Sequence, residues 1–241
     1  MVERRVSAEL MDESGQDPGE LADSLRDLQV VNRWLGGSRT AVRRLGPMIR
    51  RLALGLDRPV RLLDVATGSA DLPLQLMEWS RRHGLHLRVI AVDFHPTTSV
   101  YARDATAGEP AIQIVRADAL DLPFPSGSFD LALCSTALHH FDQSAAAYVL
   151  REMDRVARSG FLVSDLRRTR AALIGAQALA ATLWRRQRIT RHDGPRSVAA
   201  AFTAQELRSL ARTAGIEAPA VRAESLFRLS LVVDRTGQSI T

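Results

Sequence analysis

The chain contains no lysine: its 32 basic residues are all arginine, set against 27 acidic ones, for a formal net charge of +5 and a pI near 10.7. A guanidinium stays protonated at every physiological pH, so this pI reflects residue choice as much as charge excess. The arginines cluster locally at Arg43–Arg44, Arg50–Arg51, Arg167–Arg170 and Arg185–Arg191. Aromatic residues are scarce, at 5%, and do not interleave with these clusters. A nucleic-acid face needs a basic surface with stacking rings, so arginine bias on solvated helix faces is the expected reading. A single cysteine, Cys134, excludes an internal disulfide and a cysteine-rich zinc site. No metal-ligand set is read from the residues. The longest uncharged helical stretch, Ala171–Trp184, falls short of the roughly 20 apolar residues that span a bilayer. The N-terminal MVERRVSAELMDESGQDPGE lacks a signal-peptide core. A soluble protein of a reducing, cytoplasmic compartment is the expectation.

What is present fits one α/β domain with an N-terminal addition: 241 residues, 46% hydrophobic. Residues 1–17 are polar and expected to be mobile. Residues 18–56 are expected to form a helical cap. Leu21, Leu25, Leu28 and Val31 recur at helical spacing, Gly36–Gly37 stops the helix, and Val42, Leu45, Met48, Ile49, Leu52 and Leu56 resume the pattern. From residue 57 to 241 a core is expected with strands at 60–65, 88–93, 112–116, 129–135, 160–165, 216–222 and 226–233. Helices are expected near 70–83, 97–105, 144–157 and 203–214. Strands alternating with helices predict a doubly wound, seven-stranded, mostly parallel α/β sheet. The last two strands are too close for a parallel crossover and predict an antiparallel hairpin. An insertion at 166–202 carries its own helix, near 169–187.

The run Val60–Val65 ends beside Asp64 and turns through Ala66–Thr67–Gly68–Ser69–Ala70 into a helical pattern. Such a strand–turn–helix lets backbone N–H groups approach a ligand closely. Asp93 ends the next apolar run, and Asp118 follows the third. Three acids at the ends of successive strands suggest one nucleoside-like ligand lying across the sheet. A nicotinamide fingerprint requires G-x-G-x-x-G, and Gly68 stands alone. S-adenosylmethionine carries no pyrophosphate and asks for fewer glycines.

At these residues the chain resembles a family. LLDVATGSAD, AVDFHP, RADALDLPFPSGSFDLALCSTALHHF and REMDRVARSGFLVSDL resemble, in order, the motifs of class I S-adenosylmethionine-dependent methyltransferases, a Rossmann-like methyltransferase fold. The flavour is that of ubiquinone- and menaquinone-biosynthesis enzymes and of phenolic natural-product methyltransferases. Two positions depart from it. Ala70 stands where the family's turn has its last glycine, a mild change if its φ stays negative. Ala157–Arg158–Ser159–Gly160 replaces Pro-Gly-Gly. The resemblance implies that Asp64, Ala66, Thr67, Gly68 and Ser69 wrap the methionine end of the cofactor and that Asp93 binds its ribose. It further implies that Phe94, Asp118 and Ala119 border the adenine, with Ser135 and Thr136 near the sulfonium.

Cys134–Ser135–Thr136–Ala137 lacks the Asn/Asp-Pro-Pro-Tyr/Phe of amine methylating enzymes. Cys134 lacks the preceding proline of cytosine C5 enzymes and is expected to be a buried structural residue. His139 and His140 follow, and a histidine there could act as general base, His140 being the better candidate. In this fold the N-terminal arm and the insertion commonly cover the acceptor, which makes Trp34 and His192 candidate substrate contacts. Helix-end packing and a polar turn are the competing readings for those two. The uncharged helix could form an apolar lid or simply pack on the sheet. The function expected is methyl transfer to oxygen, or carbon, of a small phenolic, quinol or polyketide-like acceptor of lipophilic character, as in secondary metabolism. An RNA methyltransferase and a non-catalytic cofactor-binding protein stand as alternatives. No motif bears on oligomeric state.

Overall fold

The computed structural model describes residues 3–13 and 15–237, so residues 1, 2, 14 and 238–241 of the expected segments lie outside the described residues. The apolar runs become strands β1 (Val60–Val65), β2 (Leu87–Asp93), β3 (Ile112–Arg116), β4 (Leu131–Ser135), β5 (Gly160–Leu166), β6 (Ala220–Ala223) and β7 (Arg228–Asp234). They form one seven-stranded sheet in the order β3-β2-β1-β4-β5-β7-β6. Pairings among β1 to β5 are parallel, with Leu62 opposite Val89 on one side and Leu131 on the other. β7 runs antiparallel to both β5 and β6, as the short final connection requires. Every residue of β5 is buried, as expected of a central strand covered on both faces.

Three strands begin later than the sequence pattern predicts. β4 begins at Leu131, because the Asp130 carboxylate before it is held by Arg58 at 2.7 and 2.8 Å and by the Arg61 amide at 2.8 Å. β6 begins at Ala220, because Ala218 sits at φ 45° and breaks the extended run. β7 begins at Arg228, after a turn in which Ser225 Oγ accepts from the amides of Phe227 and Arg228.

Helices α1 (Pro18–Trp34), α2 (Gly37–Leu54), α3 (Asp71–Arg82), α4 (Pro96–Ala105), α5 (Gln143–Val156), α6 (Arg170–Ala181), α7 (Arg188–Ala200) and α8 (Ala204–Thr213) complete the chain. Asp17 caps α1 by accepting from the Glu20 amide, with Pro18 in the first turn. The 18–56 segment divides in two. α2 is no external cap: Leu45, Met48, Ile49 and Leu52 join Leu62, Leu131, Leu133 and Leu162 in one buried cluster on a face of the sheet. The opposite face is closed by α5 and α8, through Val149, Leu150, Met153, Leu207 and Leu210. Among the described residues no helix is long and apolar enough to cross a membrane.

The insertion holds two helices rather than one. Gly194–Pro195 reads as a turn in sequence, yet both residues lie inside α7. The N-terminal arm also departs from the expected mobile tail. Its 3-10 turn, Leu10–Asp12, donates the amides of Leu10 and Met11 to Asp193 of α7 at 2.9 and 3.0 Å. Arg4 donates to Phe141 O at 2.6 Å and lies 3.9 Å over the Phe202 ring. The arginine clusters are engaged in ion pairs within the chain, including Arg44–Glu224 at 2.8 Å and Arg188–Glu20 at 2.8 Å.

Candidate active site

Strand order reverses between β1 and β4, and in doubly wound sheets ligands bind at the carboxyl ends of strands beside such a reversal. A cavity of about 790 Å³ opens there, within the roughly 300–1,000 Å³ range of small-molecule sites. Its floor is built from the residues after β1, β2, β3 and β4, and its roof from the N-terminal arm, α1, α6 and α7.

The turn after β1 brings three carboxylates together. Asp64 is buried and accepts from the Thr67 hydroxyl at 2.6 Å. Burial pushes its carboxyl up to about 7, and the nearby charges of Asp71 and Asp93 add to that shift. Burial likewise raises Asp71 and Asp93 above the usual carboxylate range. Asp93 Oδ2 accepts from the Gly68 amide at 2.9 Å and Oδ1 from the His95 amide at 3.0 Å, which fixes the carboxylate at the cavity floor. Gly68 adopts φ +57°, and a Cβ built there would meet no atom within 4 Å, so the turn leaves an open cradle beside Asp93. Acids desolvated by burial next to open space suit a ligand bearing an ammonium and a sulfonium. The residues present therefore fit S-adenosylmethionine.

Ala70 does not keep a negative φ. It stands at +56°, and Ala66 at +54°, where L-residues are strained. Left-handed backbone costs a non-glycine residue about 1–2 kcal/mol, and glycine returns part of that through the unfolded chain, so Ala70→Gly should stabilise the protein by about 0.5–1 kcal/mol. Thermal unfolding should show a rise of about 1–4 °C for a domain of this size, and an unchanged or lower midpoint would contradict the assigned backbone.

Of the residues expected to meet the cofactor, Ala66, Thr67, Gly68, Ser69, Asp93, Phe94, Asp118, Ala119, Ser135 and Thr136 line the cavity. Asp64 lies behind its wall. Asp118 Oδ1 accepts from the Leu120 amide at 2.9 Å, so it also closes a turn. Cys134 is buried, as expected, and burial pushes its thiol well up.

His139 and His140 both line the cavity. Burial works against a charge on His140. The hydrogen bond to Asp12 Oδ2 at 2.7 Å and the charges of Glu9, Asp12 and Asp165 outweigh it and raise the imidazole to about 9. That shift favours the imidazolium at neutral pH. His139 is 1% exposed and is held by Asp165, which accepts from its amide at 2.9 Å and pairs with Nδ1 at 2.7 Å.

The two expected substrate contacts are not at the cavity. Trp34 ends α1 and is 78% exposed. His192 turns its Nδ1 to Asp193 Oδ1 at 2.6 Å and helps hold the residue that anchors the N-terminal arm. The roof is built instead by residues such as Leu25, Leu28, Asn32, Leu179 and Trp184. Sequence reasoning also missed Arg228, a fully buried cation on β7. It donates to Thr136 Oγ1 at 2.7 Å and to Asn32 Oδ1, and burial lowers its guanidinium to about 10 against the pull of Asp165 and Asp71. It ties α1 to the end of β4, where Thr136 is held at φ 55°. The available signal was an arginine interrupting the apolar run of the last strand.

The fold is the Rossmann-like fold of class I S-adenosylmethionine-dependent methyltransferases. A SAM-dependent methyltransferase from Aquifex aeolicus superposes with a TM-score of 0.55 at 17% identity, over 90% of this chain and 97% of that one. A structure of PigF with SAH superposes with a TM-score of 0.57 at 18% identity, over 91% of this chain and 60% of that one. Residues 63–163 match the family described as "Methyltransferase domain". Among curated proteins, the demethylmenaquinone methyltransferase of Thermus thermophilus is 38% identical over 113 residues, which are 46% of this chain and 49% of that protein. The chain thus spans about half the length of the curated relatives it matches.

Proposed function

We propose that the protein transfers the methyl group of S-adenosylmethionine to an oxygen, or a carbon, of a small phenolic, quinol or polyketide-like acceptor. The observation that carries this reading is the continuity of the cavity. The carboxylate-lined floor after β1 and β2 belongs to one cavity with an apolar roof of α1 and α6, including Leu25, Leu28 and Leu179. That shape suits a polar cofactor at one end and a lipophilic acceptor at the other. The quinone-type name of the Thermus relative and the scarcity of aromatic residues favour a small acceptor over RNA.

When bound, S-adenosylmethionine supplies a methyl group activated by a sulfonium. In this reading Asp64 and Asp71 compensate its cationic end, and the turn Ala66–Ser69 wraps the methionine portion. Asp93 takes the ribose hydroxyls, while Phe94, Asp118 and Ala119 border the adenine. Ser135 and Thr136 stand beside the sulfonium. The apolar roof excludes water, and alignment of acceptor and methyl supplies most of the acceleration.

Incubation with isotopically labelled cofactor and a panel of phenols, quinols and carboxylic acids, read by mass spectrometry, tests the proposal. A labelled methyl on one acceptor class is expected. Cofactor binding with no methyl product on any class would instead support a non-catalytic protein, and salt-sensitive RNA binding an RNA enzyme.

A pH dependence follows from Asp64. An acid raised to about 7 is protonated below that pH and charged above it. A cationic cofactor prefers the charged form, so affinity should rise with pH up to about 7 and then level off. Below 7 the dissociation constant should approach a tenfold increase per pH unit, set by proton linkage. Calorimetric titration from pH 5.5 to 8.5 checks this, and Asp64→Asn should flatten the profile. A flat profile in the unmodified protein would remove Asp64 from the cofactor site.

A further inference from the structure

We propose that Glu9, His139 and His140 form a binding site for one divalent transition-metal ion of the zinc type, with further coordination positions open to the cavity. Ligand atoms from these three residues lie within 4.8 Å of one another. His139 pairs its Nδ1 with Asp165 Oδ1 at 2.7 Å, and His140 pairs its Nδ1 with Asp12 Oδ2 at 2.7 Å. Both imidazoles therefore have their outer nitrogen fixed by a carboxylate, which is how metal-ligating histidines are oriented. Both Nε2 atoms are turned toward Glu9, His139 to Oε1 and His140 to Oε2, each at 3.7 Å.

That separation is too long for a hydrogen bond. It matches two ligands sharing a cation placed about 2.0–2.1 Å from each. Glu9 is 3% exposed, and its Oε1 is further positioned by the Ser197 hydroxyl at 2.7 Å. A cation in that gap would take up the Glu9 carboxylate directly, and ligation by an imidazole nitrogen would release its proton. Two imidazoles and one carboxylate favour zinc, iron, cobalt or manganese over magnesium or calcium.

Glu9, Asp12, His139 and His140 all line the cavity, so three protein ligands leave positions facing it. Water or an acceptor oxygen would fill them, the latter resting on the methyltransferase reading. The ion would also join the N-terminal arm to the turn after β4, two segments 130 residues apart.

The full chain, freed of metal by chelator dialysis, is titrated with Zn2+ alone by calorimetry and with Co2+ alone by visible absorption. One equivalent of either ion is expected, with cobalt ligand-field bands. E9Q and H140A should weaken Zn2+ binding at least 100-fold, and D12N about ten- to hundredfold, each variant being checked for fold by circular dichroism and thermal unfolding. Catechol should shift the cobalt bands. No stoichiometric binding to the unmodified chain, or binding unchanged in both E9Q and H140A, overturns the site, and cobalt bands unmoved by catechol overturn its open position. These titrations contain no cofactor, so their failure leaves the methyl-transfer reading intact, and failure of the labelled-methyl assay leaves the metal site intact.

Discussion

Gly160→Ala is expected to cost about 3 kcal/mol or more, or to prevent the protein from folding. Gly160 opens β5 at φ +130°, a backbone region essentially closed to residues with a side chain. A Cβ there would stand 2.0 Å from Val233 O and 2.9 Å from Val233 C. Those atoms are backbone of β7, which pairs along the whole of β5 from Gly160–Asp234 to Leu166–Arg228. Neither partner can retreat, because β5 is also paired to β4 on its other side. The new methyl must therefore break a central pairing of the sheet. Urea unfolding checks the outcome, and a soluble variant with an unchanged midpoint would show that β5 and β7 do not meet there.

Asp93→Asn should leave the fold intact and weaken S-adenosylmethionine binding about 10- to 100-fold. A hydrogen bond to a charged group contributes about 1.5–3 kcal/mol, and each 1.4 kcal/mol is a factor of ten. The carboxylate is already held by the amides of Gly68 and His95, so its remaining lone pairs are presented to the cavity in a fixed direction. The amide keeps one acceptor oxygen but sets an N–H2 group where the other accepted, losing both the charge and a ribose contact. Calorimetry gives the affinity and thermal unfolding the fold. Wild-type affinity in this variant would take the ribose contact away from the end of β2.

Much of this was legible along the chain because the sheet is local in its signals. Runs such as Val89–Val92 and Leu131–Cys134 are apolar on both faces, and covered parallel strands demand that. Asp64, Asp93 and Asp118 stand at strand ends, so the period of the pattern alone places them at one edge of the sheet. Where local signals misled, a distant neighbour prevailed. Gly194–Pro195 carries the composition of a turn, yet α7 continues through it and packs against α6 and α1. Trp34 and His192 have the chemistry of acceptor contacts, but the face of α1 that meets the cavity carries Leu28 and Asn32, and Asp193 claims the His192 ring. Ala70 takes a positive φ that its residue type disfavours, because β1 must turn directly into α3.

By itself the sequence determined the doubly wound core, the carboxylates at the strand ends and the LHHF turn beside them, since each depends on spacing within one strand–helix unit. Tertiary structure alone decided the rest of the site. Glu9 meets His139 and His140, Arg228 reaches Asn32 and Thr136, and Asp193 receives the N-terminal arm, across separations of 92 to 196 residues in the hydrogen-bonded cases. No periodicity encodes such pairings. They arise because a buried charge must find a partner wherever the fold brings one, and only the packed chain says where that is.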